Sequence, residues 1–198
     1  MEARSTRTRA ALTEGNAILT SAAATVLTIL PAAEGLTLVR LGPLLGTHMF
    51  VGLMLVPPVL LKLGSTGYRF VRYYTGSVPY REKGPPLLPL RMLAPVLVVT
   101  TVFMLATGVW LMALGHKSDR VLMLHKVSFI VWAVFFGIHF LAYLPRVVRS
   151  LRTDWGTARR RDVPGASWRG LLVASALAVG VALAVALLPA IDSWHPGL

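Results

Sequence analysis

The sequence predicts an all-α fold, a polytopic transmembrane helix bundle of five spans, and three observations carry that prediction. Mean hydropathy is +0.66 over 198 residues, 55% of them hydrophobic, a level that soluble domains seldom reach. The apolar residues are gathered into five blocks, each close to the roughly 20 residues that cross about 30 Å of hydrocarbon. Arg and Lys collect in alternate connections between the blocks, as they do when one side of a membrane retains positive charge.

In chain order the blocks cover residues 15–33, 44–63, 92–115, 121–144 and 170–190. They make one transmembrane domain, 15–191, between a basic tail at 1–14 and a short outer tail at 192–198. Span one follows the polar stretch MEARSTRTRA, with Thr13-Glu14-Gly15 or Asn16 placed to cap it. Its apolar core exceeds the roughly 7–15 residues of a signal peptide, and Leu30-Pro31-Ala32-Ala33-Glu34 is no clean cleavage site, so it reads as a retained helix. The short outer link Glu34–Pro43 makes spans one and two antiparallel neighbours. Span two carries Pro57-Pro58 and is expected to kink there.

The inner connection 64–90 opens with GYRFVRYYTG, in which Tyr68, Phe70, Tyr73 and Tyr74 interleave with Arg69 and Arg72. That pattern predicts an interfacial helix anchored among headgroups, and SVPYREKGPPLLPL after it reads as irregular. Span three enters through Pro95, tolerated in a first turn. A tight outer turn, GHKSDR, leads into span four, and the segment 146–169 is polar and basic. Span five is Ala, Val, Leu and Gly with Ser175 as its polar side chain, a composition suited to close approach at the periphery of the bundle.

Sixteen of the 20 basic residues lie in the N-terminal tail, at the end of span two (Lys62) and in the two long connections, three (Arg40, Lys117 and Arg120) on the opposite side, and Lys126 inside span four. The asymmetry puts the N-terminus and both long connections in the cytoplasm and the C-terminus outside, in a cell (inner) membrane. The net charge of +12 is then a topology signal with anionic lipid as its partner, and nucleic acid is not expected. With no cysteine there is no disulfide, iron–sulfur cluster, thiolate-ligated haem or c-type haem attachment. Any cofactor must be held by His, Met or backbone groups.

Ionisable residues inside a span are costly, so each is a functional candidate. His48 lies in span two; His125 and His139 lie in span four, 14 residues apart. At 100° and 1.5 Å per residue they share a face to within about 40° and are separated by about 21 Å along the axis. Ser128, Trp132, Phe136 and Tyr143 fall on the same stripe. Spans two and four run in the same direction, and His48 and His125 each sit about 6 Å below the outer start of their helix, so the pair is expected to face at one depth. Two neutral imidazoles on opposed helices with a flat ring between them is the arrangement of bis-histidine haem ligation. Gly52, one turn below His48, would leave room for the porphyrin edge, and Lys126, Lys117, Arg120 and Arg40 would meet its propionates.

On the inner side the residue matching His139 is Lys62, a poor haem ligand that can snorkel to the interface. One haem site is therefore favoured over two. His139 reads as a second-haem ligand, a quinone-site donor with Tyr143, or a contact between helices. His116 in the outer turn reads as a solvated residue that could serve a propionate or replace a ligand; Met104 and Met112 read as packing residues, and His195 as uninvolved. For every one of these imidazoles the plainer alternative is a hydrogen bond between helices, worth about 0.6–2 kcal/mol in a membrane.

A histidine pair about 14 residues apart in one helix, with a partner histidine on a helix of the same direction, resembles membrane-embedded b-type cytochromes: cytochrome b561-like proteins and the haem-b anchor subunits of bacterial redox enzymes. The LHK-x-SF-x-x-W…H run of span four is also similar to cytochrome-b-like modules seen beside bacterial molybdopterin oxidoreductases. The resemblance covers residues 44–144. It implies haem b at His48 and His125, electron transfer as the role, and a redox partner protein at the outer face. Lys62 departs from the two-haem members, which carry paired histidines on both helices.

A stand-alone enzyme is not expected, since the chain holds no nucleotide motif or catalytic nucleophile pattern. The alternative is a cofactor-free membrane scaffold or assembly protein whose basic loops bind partners or anionic lipid. A proton-coupled carrier ranks lower, because the five blocks as drawn contain no Asp or Glu.

Overall fold

The computed structural model describes residues 2–82, 84, 88–154 and 166–194, and side chains for 13–82, 84, 88–145 and 167–194. Among these residues every regular element is a helix: α1 (Glu2–Thr37), a 3-10 turn (Leu38–Arg40), α2 (Leu41–Tyr74), α3 (Val78–Glu82), α4 (Leu88–Leu114), α5 (Asp119–Asp154), α6 (Ala166–Ala186) and α7 (Leu188–Asp192). Four stretches are long and apolar enough to cross a bilayer: Thr13–Tyr74, Leu88–Leu114, Asp119–Pro145 and Ser167–Ala186. The chain is a helical membrane protein.

The first stretch, 62 residues long, is folded back on itself. The helix breaks at Arg40, whose φ of −137° and ψ of 60° are not helical, and contacts at both ends fix α1 and α2 as antiparallel. Near the break Glu34 meets His48. At the far end Asn16 Nδ2 donates to the Ser65 carbonyl at 3.3 Å and Lys62 Nζ donates to the Thr20 carbonyl at 2.9 Å. Asn16 thus ties two helices together inside α1 and caps nothing. Lys62 is likewise spent within the hairpin and does not reach out to the interface.

Helices outrun the hydrophobic blocks. α1 starts at Glu2, so the expected polar tail is helical, and it runs through Pro31 to Thr37, which shortens the outer link to three residues. α2 continues unbroken through Pro57-Pro58 and on through GYRFVRYY to Tyr74, 34 residues or about 51 Å. The aromatic–basic stretch is therefore an extension of α2 along its own axis and not a separate interfacial helix. It ends at Gly76, whose φ of 85° is left-handed. The following connection contains one helical turn, α3, whose buried Tyr80 stands edge-on to Tyr68 at 6.1 Å. α4 begins at Leu88, which puts Pro95 two turns inside the helix rather than in its first turn. Gly115, at φ 69°, closes α4 and opens the outer turn. His195 and residues 155–165 lie outside the described residues.

Helix α2 is central to one half of the bundle, packed between α1 and α6, while α4 and α5 form a second antiparallel pair. The halves meet where α2 approaches α4, where α1 touches α5 and where α7 crosses the end of α4. There Leu53, Met112, Ala184 and Ile191 form a buried cluster with Met49, Phe50 and Leu187 against it. Trp194 Nε1 donates to the Leu111 carbonyl at 3.0 Å and ties the chain end to α4. Span five was expected at the periphery. Its small residues do permit close approach, but the approach is to central α2: a Cβ at Gly180 would lie 2.5 Å from the Met54 carbonyl oxygen.

Candidate functional site

The sequence register places His48 and His125 at one depth, and in the structure they face each other. Their ring centroids are 6.4 Å apart and the ring planes make an angle of 73°. α2 and α5 are not packed against one another, so the two imidazoles span a gap between helices that are each paired elsewhere.

Each ring is fixed through its Nδ1, and the pattern of donors identifies the tautomer. His48 Nδ1 lies 2.9 Å from Glu34 Oε1 and 3.0 Å from Thr37 Oγ1. The Thr37 hydroxyl gives its own proton to the Glu34 carbonyl, so towards His48 it can only accept. A carboxylate oxygen and a committed hydroxyl both require Nδ1 to carry the proton. The other ring repeats the logic with neutral partners. His125 Nδ1 lies 3.1 Å from Thr107 Oγ1 and 3.2 Å from the Met104 carbonyl, and the Thr107 hydroxyl donates back to the Phe103 and Met104 carbonyls. In both imidazoles Nε2 therefore holds the lone pair, and no described residue hydrogen-bonds to either Nε2. An Nδ1–H held by a carboxylate or a carbonyl with Nε2 left free is the arrangement of a metal-ligating histidine and its supporting partners.

Two glycines shape the space. A Cβ at Gly108 of α4 would stand 3.1 Å from His125 Cε1, so the ring rests directly against the α4 backbone. Gly52 serves Glu34: a Cβ there would lie 3.4 Å from Glu34 Oε1. The expectation that Gly52 clears a porphyrin edge is corrected accordingly, since α1 with its carboxylate lies on that side of α2. The absence of acid from the spans is corrected too. Glu34 is inside α1 and its side chain is only 17% exposed, against 20% for His48. The apolar block ends at residue 33, which put Glu34 in the link, whereas the helix runs on to Thr37.

The remaining candidates disperse. Lys126, one residue beyond His125, is exposed, as are Arg120 and Arg40; Lys117 pairs with Asp119 at 3.1 Å. His116 is exposed and its Nδ1 is 2.8 Å from the Leu114 carbonyl, a turn contact remote in role from the pair. Met112 is a core residue and Met104 contributes its carbonyl. On the aromatic stripe of α5, Trp132 Nε1 donates to Thr101 Oγ1 at 3.0 Å and its ring stacks on Phe136 at 4.6 Å. Towards the other end of α5 His139 lies against Tyr143, ring centroids 4.6 Å apart, and within electrostatic range of Lys62. His139 Nδ1 is buried without a hydrogen-bond partner among the described residues.

Glu34, Thr37, Thr107 and Gly108 were missed by sequence reasoning. The available signal was the antiparallel register: once His48 is placed, Glu34 is the carboxylate that a three-residue turn must bring beside it. Among the described residues no group of three or more His, Cys, Asp or Glu is arranged to hold a metal ion. No protein family, curated protein or solved structure matches the chain.

Proposed function

We propose that this chain is a haem-b electron-transfer protein or membrane anchor subunit, with His48 and His125 as the axial ligands of one haem near the outer face. The observation that carries the reading is the pair of unspent Nε2 lone pairs on rings at this separation. A metal–imidazole nitrogen bond is about 2 Å and the ring centre lies about 1.1 Å behind that nitrogen, so two trans imidazoles place their centroids about 6.3 Å apart. The observed 6.4 Å fits.

When bound, the haem supplies a reversible one-electron couple. The protein's part is to fix both rings. The Nδ1–H bonds would hold the ligands in the required tautomer, and Gly108 lets His125 lie against α4. At the inner side His139 and Tyr143, whose rings pack together, would form the quinone site. The redox partner protein belongs at the outer face, nearest the site, and anionic lipid at the basic cytoplasmic loops.

A reduced-minus-oxidised spectrum of the purified protein, expressed with ample haem, tests the proposal. One low-spin b-type haem per chain is expected. A protein that takes up none leaves the cofactor-free scaffold reading in its place.

The same reading takes the fold-back of α1 on α2 as two crossings, five in all, in a cell membrane with the N-terminus inside. The chain has no cysteine, so single-cysteine probes are unambiguous. Ser193→Cys should label from outside in intact cells and Thr75→Cys only after permeabilisation; the reverse would invert the orientation.

A further inference from the structure

We propose that Glu34 is the residue that sets the electron affinity of the outer site, acting through His48 as a positioning residue and as a nearby negative charge. The inference rests on the haem-b reading.

The two ligands have unequal supports. His125 is held by a peptide carbonyl and a hydroxyl, both neutral. His48 is held by a carboxylate at 2.9 Å. A carboxylate accepting the Nδ1 proton leaves more electron density on the ring and makes Nε2 the stronger donor. A stronger donor favours the higher-valent metal, so the oxidised form gains.

Placement also keeps the charge effective. Glu34 and His48 are both mostly buried, and no Lys or Arg pairs with Glu34 among the described residues. Its second oxygen, Oε2, is buried without a hydrogen-bond partner there. An uncompensated negative charge in a region of low dielectric acts over a longer distance than one in water, and it opposes the arrival of an electron. Two features of the backbone serve this contact. Gly52 on α2 leaves space beside Oε1, and the 3-10 turn Leu38–Arg40 is short enough to bring α1 back against His48. A longer outer link would have left the carboxylate in solvent.

The test compares haem-loaded full-length variants by redox titration at one fixed pH. Glu34→Gln keeps an acceptor oxygen and removes the charge; Thr37→Val removes the neutral acceptor from the same Nδ1. Glu34→Gln is expected to shift the reduced-to-oxidised equilibrium tenfold or more towards reduction, which for one electron is about 59 mV. Thr37→Val should move it by less than half of that.

A Glu34→Gln protein that carries a full complement of haem at the wild-type potential overturns the proposal and leaves the haem reading intact. A wild type without haem overturns the reading itself, so the two failures are distinguishable. Should Glu34→Gln fail to load, Glu34→Asp carries the test. It keeps the charge but draws it one methylene away from the ring, and several-fold easier reduction is expected. A loaded Asp variant titrating as wild type overturns the proposal equally.

Discussion

If His48 and His125 hold the proposed haem, alanine at either should remove its low-spin signal from the membrane protein, and alanine at His139 should leave it standing. On the proposed reading the His48–His125 pair supplies both nitrogens that hold the haem, and with no cysteine in the chain no thiolate can stand in for a lost imidazole. The Nε2 atoms on offer at that depth are those of the two facing rings. Each outer variant should therefore lose haem or retain it in a five-coordinate, high-spin state. Insertion should persist because it follows apolar length. His139 is about 21 Å away along α5, beside Tyr143 and opposite Lys62, so its removal spares the spectrum. Visible spectra and haem quantification on the three purified variants decide the matter. If His139→Ala abolishes the signal and His48→Ala spares it, the haem lies on the inner side.

The signal to be lost also has an expected form. If His48 and His125 hold a haem iron, each imidazole would interact through its π system with the iron orbital perpendicular to its own plane. Parallel rings raise one of the two relevant orbitals and split the pair; perpendicular rings raise both and leave them nearly equal. At 73° the rings are close to the second case. The oxidised protein should thus show strongly anisotropic low-spin resonance rather than a rhombic spectrum, and the absorption assay above gains an independent check on ligand geometry.

Depth was legible in the sequence and lateral contact was not. A helix rises 1.5 Å per residue, so two helices running in the same direction fix which residues share a level. His48 with His125 and Lys62 with His139 follow from counting. Which groups stand beside those residues depends on where the chain turns, and hydropathy locates the edge of the lipid rather than the end of a helix. α1, α2 and α5 all continue beyond their apolar blocks. Ending the first span with its apolar block at residue 33 put Glu34 in a link, though α1 runs through Pro31 to Thr37 and a proline beyond the first turn need not end a helix in a packed bundle. Gly108 gave no signal because a glycine in an apolar run looks the same whether it faces lipid or an imidazole. Thr37 and Thr107 were hidden for a related reason: their importance lies in where their hydroxyl protons go, which only coordinates reveal.

A side chain at Gly180 should detach α6 from α2 and loosen the outer end of the bundle, whereas the same change at Gly170 should do little. Helices in lipid gain nothing from burying apolar surface against each other, so they associate through close packing. α6 meets α2 in that way. A Cβ at position 180 would fall 2.5 Å from the Met54 carbonyl oxygen and 3.3 Å from its Cα, both backbone atoms of a helix that cannot yield locally. One turn further on, Ala184 is completely buried in the cluster formed with Leu53, Met112 and Ile191. Gly170 has nothing within 4 Å of its Cβ position and supplies the control on the same helix. Overpacking of this kind costs about 1–3 kcal/mol and sometimes more. Gly180→Val should therefore lower the thermal midpoint of the purified protein by several degrees, with Gly170→Val close to wild type. A disulfide between cysteines at Gly46 and Ile191, where a Cβ at 46 would lie 3.6 Å from the Ile191 side chain, should form in the parent and weaken in the Gly180 variant. Equal behaviour of the two glycine variants would mean that α6 is not held by this contact. Because Leu53 and Met54 follow His48 by less than two turns on α2, a displaced α6 should also disturb the histidine pair, and the Gly180 variant should hold haem less tightly than its control.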